Sequence, residues 1–217
     1  MRTHLLRLGA PLLGLALFHE SAELGVLFAL AAYLGAFAFA HDVAHGALRL
    51  PRAVNEGLLA LAALPMLVSG HSMRLMHLRH HARPLAGDDL EGVGASMGFW
   101  KALSLGPSNF VALRLEAWRA ASARDRRFIA VENVACGVLP LLAMQWPAGQ
   151  AWLATCLAMG LTASAWASHL PHQPPRWMKA IALHLSWTGS AVLLSFAFHD
   201  EHHARPKVPC GELATAQ

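Results

Sequence analysis

Four long apolar segments constrain this chain more than any other feature of its sequence. Each approaches the length of about 20 apolar residues that a helix needs to cross the hydrocarbon core of a bilayer. The segments are residues 5–18, 24–40, 128–146 and 150–168. Only a few residues separate the first segment from the second, and the third from the fourth. The sequence therefore predicts an all-α integral membrane protein, with about four transmembrane helices in two hairpins and one domain over residues 1–217.

Two further apolar runs look too short to cross a bilayer. Residues 57–69 are interrupted by Pro65, and residues 180–198 contain His184 and three serines. We expect both runs to form helices that lie in the membrane interface or pack beneath it. A full span is the competing interpretation, especially for the second run.

Composition agrees with a membrane protein and excludes several other classes. Hydrophobic residues make up 55% of the chain and charged residues only 14%, whereas soluble domains carry about 25% charged residues. So much apolar content excludes a disordered protein, and three cysteines are too few for a disulfide scaffold. The net charge of +4 is spread along the segments that flank the apolar runs, so no nucleic-acid partner is expected.

The positions of the basic residues predict an orientation. In a four-span arrangement the two tight loops, residues 19–23 and 147–149, face the same side of the membrane. Neither loop contains Lys or Arg, so all 17 basic residues fall on the other side. Positive charge marks the cytoplasmic side of a membrane protein. We therefore expect a multi-pass protein with both termini in the cytoplasm.

The chain is also rich in histidine, with 14 residues of this type. Eight of them form three clusters: His41 and His45; His77, His80 and His81; and His199, His202 and His203. Helix positions i, i+3 and i+4 share one face, so each cluster presents two or three imidazoles to one point. Chance predicts far less than one H-x2-H-H pattern in such a chain, and this one contains two.

This pattern indicates a site for two metal ions. Neutral imidazole is a good ligand for iron, zinc, copper and nickel, and eight imidazoles exceed the four ligands that one zinc ion takes. All three clusters fall on the cytoplasmic side, although the orientation was assigned from Lys and Arg alone. Metal transport is a weaker interpretation, because a transport site is expected near the middle of the bilayer.

A fourth histidine segment follows the last apolar run and returns to the same side. We expect His172 to be a ninth ligand, with His169 as its substitute. Ligating histidines usually donate their other N–H to a carboxylate, a carbonyl or water. Asp42 and Asp200 adjoin the clusters and could accept such hydrogen bonds. It is nearly as good an interpretation that both carboxylates are simply exposed to solvent. The remaining histidines have no partner at a fitting spacing: His4, His19, His71 and His184.

The three histidine clusters are called the first, second and third histidine box, in chain order. Their order, interleaved with two hairpins, resembles that of the membrane-bound di-iron fatty acid desaturase superfamily. That superfamily includes acyl desaturases and carotenoid ketolases and hydroxylases, and the resemblance runs from about residue 24 to residue 213. The segment Leu170-Pro171-His172 is similar to the extra histidine segment that carotenoid ketolases carry before their last box. The chain departs from these relatives at Ser168, where some desaturases have asparagine, and at Cys210 and Gly211, where ketolases commonly have a tryptophan pair.

The resemblance implies a di-iron centre with two Fe ions and O2 as co-substrate. Its catalytic, metal-binding residues would be His41, His45, His77, His80, His81, His172, His199, His202 and His203. It further implies oxidation of an unactivated C–H bond in a lipid-soluble substrate that enters from the bilayer. We expect desaturation or hydroxylation of a fatty acyl chain.

Two alternatives remain open from the sequence. A carotenoid ketolase or hydroxylase would use the same site, whereas a non-catalytic metal-handling membrane protein would hold metal without oxidising anything. The resemblance also implies an electron donor. No fused cytochrome b5-like domain is recognisable, so we expect a separate carrier of the ferredoxin, rubredoxin or cytochrome b5 type, together with its reductase.

Overall fold

A computed structural model of the protein describes residues 1–215, and helices account for most of that range. The helices are α1 (Arg2–Leu17), α2 (Ala22–Ala44), α3 (Arg52–Ala63), α4 (Gly70–Ala82), α5 (Phe99–Ala120), α6 (Ala123–Ala143), α7 (Pro147–Leu161), α8 (Leu170–His172), α9 (Arg176–His184), α10 (Ala191–Ala197) and α11 (His199–Ala204). A π-helix, Ser164–His169, joins α7 to α8. The all-helical prediction is confirmed.

The first hairpin is formed by α1 and α2, which pack along each other. Ser21 starts α2 by accepting a hydrogen bond from the Leu24 amide at 3.2 Å, as expected of an N-cap serine. The two helices approach closely at Gly35, where a Cβ atom would lie 2.6 Å from the carbonyl oxygen of Arg7. Glycine is therefore required at this contact.

The second hairpin, formed by α6 and α7, lies beside the first. Its loop meets the loop of the first hairpin, because the Ala148 amide donates to the His19 carbonyl at 3.0 Å. At Gly25 a Cβ atom would come within 2.7 Å of the Ala148 Cα atom, so the start of α2 also touches this loop. Both tight loops consequently lie at the same end of the bundle.

Helix α2 is the central element, and it packs against α1, α3 and α7. Ala29, Ala32, Ala36 and Ala40 are fully buried along it, and such small side chains let neighbouring helices approach closely. At 1.5 Å per residue, His41 lies about 28 Å along the axis from the start of α2. The histidine boxes therefore lie at the end of the bundle opposite the two tight loops.

One helix, Ala22–Ala44, is long and apolar enough to cross a membrane. The pair Arg52–Met66 and Gly70–Ala82, bent by 99°, would add a second crossing if it forms one broken span. The other helices of the predicted hairpins fall short by length or composition within the described residues. Four spans therefore stay a prediction, whereas the pairing of helices into two hairpins is seen directly.

The two shorter apolar runs differ from expectation in detail. The run at 57–69 forms the end of α3 and a 3-10 turn, Leu64–Met66. The chain then bends at Leu67, which has a φ of 54°. The helix expected over 180–198 is wrong, because the chain breaks into α9 and α10. Gly189 lies between them with a φ of 57°, a left-handed conformation that glycine adopts without strain.

Candidate metal centre

Four elements bring the predicted ligands together at one end of the bundle. The last turn of α2 supplies His41, and His45 is the residue that caps that helix. Helix α4 supplies the second box and α11 the third, and α8 supplies His172. The structure therefore gathers residues that are as far apart in sequence as His41 and His203, and all nine predicted ligands lie in this one cluster.

Eight of the nine imidazoles form two groups of four. In each group one nitrogen from every ring lies within 4.8 Å of the others. The first group is His41, His45, His77 and His202, and the second is His80, His172, His199 and His203. Helix α4 gives one histidine to each group, and α11 gives one to the first group and two to the second. Two separate but adjacent ligand sets result, as a di-metal site requires.

The ninth predicted ligand, His81, lies where the two groups meet. Its Nε2 is 3.0 Å from Nε2 of His202, which belongs to the first group. Its ring also stacks on that of His203, which belongs to the second group, at a centroid distance of 4.2 Å. His81 is therefore in reach of either set.

The distances between ring tips fit shared metal ions. Nε2 of His45 lies 2.8 Å from Nε2 of His77, and Nε2 of His199 lies 3.3 Å from that of His172 and 3.1 Å from that of His203. Imidazole nitrogens bound to one ion at about 2.0–2.1 Å lie roughly 2.9–3.4 Å apart. The donor set and its spacing thus fit two ions of a metal that accepts imidazole.

Carboxylates hold the opposite side of several rings. Nδ1 of His80 donates to Asp89 at 2.6 Å, and Nδ1 of His77 donates to Glu91. Donation from Nδ1 fixes the tautomer in which Nε2 keeps its lone pair for a metal. The sequence left two interpretations open for the acids after the second box, orientation of a ligand or a simple loop position, and the contacts of Asp89 and Glu91 agree with the first.

Of the two acids expected to orient ligands, only Asp42 lies beside a ligand in the described residues, and it does so beyond hydrogen-bond distance. Asp42 is buried, and its Oδ1 lies 3.7 Å from Nδ1 of His41. It also accepts hydrogen bonds from Nε2 of His4 at 3.0 Å and from the Cys210 amide at 3.1 Å. Asp200 is exposed and has no hydrogen bond to a histidine in the described part of the chain. Its expected role is therefore not supported.

Between the two candidates for the ninth ligand, the geometry favours His172. Its Nδ1 donates to the carbonyl oxygen of Ser168 at 2.8 Å, which leaves Nε2 directed at His199. His169 instead faces the carbonyl oxygen of Gly94 at 3.3 Å and belongs to neither group. The Ser168 hydroxyl accepts from the Gly94 amide at 3.1 Å, so it supports the loop beside the site.

Burial keeps the third box neutral. Burial and the neighbouring imidazoles lower the pKa of His203 to about 4, and the same causes lower the pKa values of His199 and His202 well below the usual range. Neutral imidazole is the form that binds metals. The Nδ1 atom of His202 is buried without a hydrogen-bond partner in the described residues.

A second buried histidine arrangement was missed by sequence reasoning. His71, at the start of α4, is 1% exposed and lies between two carboxylates. Its Nδ1 is 2.5 Å from Glu132 and its Nε2 is 2.7 Å from Glu56. Glu56 also accepts from Arg74 at 3.2 Å, and Ser69 donates to Glu132 at 2.5 Å. Glu132 interrupts the apolar run at 128–146, and an acid inside an apolar segment needs a partner. This residue was therefore the sequence signal that could have indicated the network.

An apolar cavity of about 180 Å³ opens beside the histidine cluster. His77, His80, His172 and His199 line one end of it. Its walls are formed largely by aromatic and aliphatic side chains, namely Phe37, Met66, Met73, Phe110, Leu113, Trp166 and Phe196. The cavity therefore connects largely apolar walls to the imidazoles.

Comparison with known proteins assigns the family. The family model described as fatty acid desaturase matches residues 22–217, which is most of the chain and includes every predicted ligand. No curated protein and no solved structure matches the chain. The match agrees with the resemblance read from the histidine boxes and with the two histidine groups in the structure. The chain belongs to the fatty acid desaturase family.

Proposed function

We propose that the protein is an O2-dependent di-iron oxidoreductase that desaturates or hydroxylates a fatty acyl or other lipid chain. The observation that supports this most directly is the meeting of two histidine groups at one end of an apolar cavity. A metal store would need the ligands but not the cavity. An enzyme that oxidises a hydrocarbon needs both within reach of each other.

Iron is the metal proposed for both groups. Zinc accepts imidazole equally well, but it does no redox chemistry and completes its shell with four ligands. When bound, a pair of iron ions supplies the reduction of dioxygen that oxidation of an unactivated C–H bond requires. The protein's task is then to bind, orient and shield the substrate.

The side chains around the site perform these tasks. Asp89 and Glu91 accept the Nδ1 protons of His80 and His77, so both rings stay fixed in tautomer and orientation. Phe37, Trp166 and Phe196 contact one another around the cavity, and such packing excludes water from the reacting carbon. The apolar walls position the hydrocarbon part by its shape, so the site of oxidation depends on how deep the chain enters.

The proposal includes the membrane location of the enzyme and its electron donor. We propose an integral, multi-pass membrane protein with its active site and both termini in the cytoplasm, where reduced electron carriers are found. A separate donor of the ferredoxin, rubredoxin or cytochrome b5 type, with its reductase, would supply the electrons. The cavity would receive its substrate from the surrounding bilayer.

A carotenoid ketolase or hydroxylase is the second candidate. One specific feature favours it, since His172 comes from the segment that is similar to the extra histidine segment of ketolases, and its ring adjoins that of His199 at a centroid distance of 4.3 Å. The aromatic cavity walls suit a polyene as well as an acyl chain. The two candidates differ in substrate and not in the metal chemistry proposed.

The test combines metal analysis with product analysis. We expect purified protein supplied with iron to hold about two irons per chain that are reducible and react with O2. Expression in a carotene-producing host, followed by fatty-acid and pigment profiling, should show new unsaturated or hydroxylated acyl chains, with His80→Ala as the inactive control. New keto- or hydroxycarotenoids would identify the second candidate instead. One zinc per chain, or metal flux in vesicles, would contradict both.

A further inference from the structure

One cation in the cavity wall has no charged partner. Arg114 is half-buried on α5, its guanidinium stacks on the ring of Phe110 at 3.4 Å, and its Nη1 donates to the Phe110 carbonyl at 2.9 Å. It makes no ion pair with any acidic residue among those described. The similarly half-buried Arg74 and Arg79 are paired with Glu56 and Glu116. Arg114 therefore differs from them in the lack of a counter-charge.

Tyr33 and Asn133 are among the other polar residues that line the same cavity. Tyr33 on α2 is 4% exposed, and within residues 1–215 its hydroxyl has no hydrogen-bond partner. Asn133 on α6 also lines the cavity and is exposed on the outer side, and its amide likewise has no partner in the described chain. A guanidinium, a hydroxyl and an amide thus present free donors to one space. The Tyr33 hydroxyl is the most enclosed of these donors, and an enclosed donor without a partner costs free energy, so a ligand with acceptor oxygens would gain hydrogen bonds in this part of the cavity.

These groups lie away from the histidine end of the cavity. Tyr33, Phe37 and His41 follow one another along α2 at intervals of four residues, and all three line the cavity. Tyr33 and His41 are therefore about 12 Å apart along the helix axis. The cavity has a polar region near Tyr33, an aromatic middle and imidazoles at its other end.

We propose that Arg114, together with Tyr33 and Asn133, binds an oxyanion head group of the lipid substrate, a carboxylate or a phosphate. The hydrocarbon chain would extend from there past Phe37 to the histidines. This inference rests on the proposed function for the nature of the substrate. Arginine suits the role because its planar fork matches carboxylate and phosphate oxygens. A lipid without a polar head, such as a carotene, would leave all three donors unpaired.

The test measures binding in the absence of turnover. The full-length protein in a neutral detergent, without a reductant, is given spin-labelled stearic acid, and the immobilised fraction is followed by electron paramagnetic resonance. Unlabelled competitors are palmitic acid, hexadecanol of the same chain length, and dipalmitoyl phosphatidic acid. We expect the ionised acid to displace the probe at a concentration about tenfold lower than the alcohol. Stronger displacement by phosphatidic acid would identify phosphate as the preferred source of the oxyanion.

Substitutions test whether Arg114 is responsible for the preference for the ionised acid over the alcohol. Arg114→Gln should bring palmitic acid and hexadecanol to equal potency, Arg114→Lys should keep part of the difference, and Tyr33→Phe should reduce it a few-fold. Arg119→Gln, an exposed position on the same helix, is the matched control and should behave as wild type. The iron content of each variant shows whether the bundle has assembled.

Equal potency of acid and alcohol in the wild type would overturn the proposal, and so would a preference that survives Arg114→Gln. Either result would leave the proposed oxidation unaffected, because this experiment measures lipid binding in the absence of catalysis. Loss of iron or of oxidation products with an intact acid preference would count against the proposed function instead.

Discussion

Histidine is buried in two regions of the molecule, and its ring nitrogens face different partners in each. At the metal centre, ring tips face other ring tips, as between His45 and His77 at 2.8 Å. At the start of α4, both nitrogens of His71 face carboxylate oxygens, at 2.5 and 2.7 Å. The first region lacks any acid at the converging nitrogens, whereas the second has an acid at each.

The difference shows which region needs something from outside the chain. Each ring nitrogen of His71 already faces a carboxylate oxygen, of Glu132 or Glu56, so this ring has a partner from the chain on both sides. In the cluster, two neutral imidazoles that meet at their tips share at most one proton, and several lone pairs point into the same space. A metal ion is the partner that such lone pairs accept. We infer that the cluster is completed by metal and that the His71 network is complete without it.

The largest expected effects come from removing ligands of either group. His202→Ala in the first group and His80→Ala in the second should each cost about one iron per chain and lower activity to below about one hundredth of wild type. Membrane insertion should change little, because neither substitution alters the apolar segments. Iron analysis with product assays checks this prediction. His19→Ala, at the opposite end of the bundle, should be nearly silent, and full activity in His80→Ala would remove that residue from the site.

The second prediction concerns stability instead of metal content. His71→Ala leaves Glu132, which is 4% exposed, and Glu56 without the ring between them. Loss of one partner from a buried charge network costs about 3–5 kcal/mol, so unfolding in detergent should occur at clearly lower denaturant or temperature. Iron content at low temperature should stay at the wild-type level. His184→Ala, an exposed control, should change neither quantity. Loss of iron without loss of stability in His71→Ala would break the distinction between the two regions.

The third prediction tests the carboxylates behind the ligands. Asp89→Asn removes the acceptor charge at Nδ1 of His80, so iron affinity should fall about 10- to 100-fold. The neighbouring Asp88 is exposed and pairs with Arg83 at 2.5 Å, so Asp88→Asn is the matched control and should bind iron as wild type does. Competition with a chelator of known affinity measures both. Equal affinities for the two variants would show that Asp89 shapes the loop but does not tune the ligand.

The sequence predicted well which histidines come together, because helical spacing is a local property. Residues such as His77, His80 and His81 lie on neighbouring faces of a helix wherever that helix packs. Which ion each would serve was not predictable, because the division into two groups depends on how α4 meets α11. The paired hairpins were likewise predictable from apolar runs and tight links.

What the sequence did not reveal depends on contacts between distant segments. Asp89 and Glu91 lie in an irregular loop without periodicity, so the sequence left open whether they fold back onto the second box or stay in solvent. His4 reaches Asp42 only because α1 packs on α2. The run at 180–198 was expected as one helix because its composition is apolar throughout, yet the left-handed conformation at Gly189 divides it.

The smallest expected effect is at Cys210, whose Sγ lies 3.2 Å from Nδ1 of His41. A thiol is a weak hydrogen-bond partner, and the Asp42 carboxylate, 3.7 Å from the same Nδ1, would need to move only slightly to replace it. Cys210→Ala should therefore lower iron affinity only a few-fold, measured by the same chelator competition. Cys136→Ala, half-buried in α6, serves as the control and should have no effect.

A much larger loss at Cys210 would change the interpretation of the centre. The Cys210 thiol, the Asp42 carboxylate and His41 lie close enough together to hold an ion themselves. A loss above about 100-fold, accompanied by a thiolate-to-metal absorption band that disappears in Cys210→Ala, would make the thiol a direct ligand. A few-fold loss without such a band would leave Cys210 as a positioning residue for His41 and confine metal binding to the imidazoles.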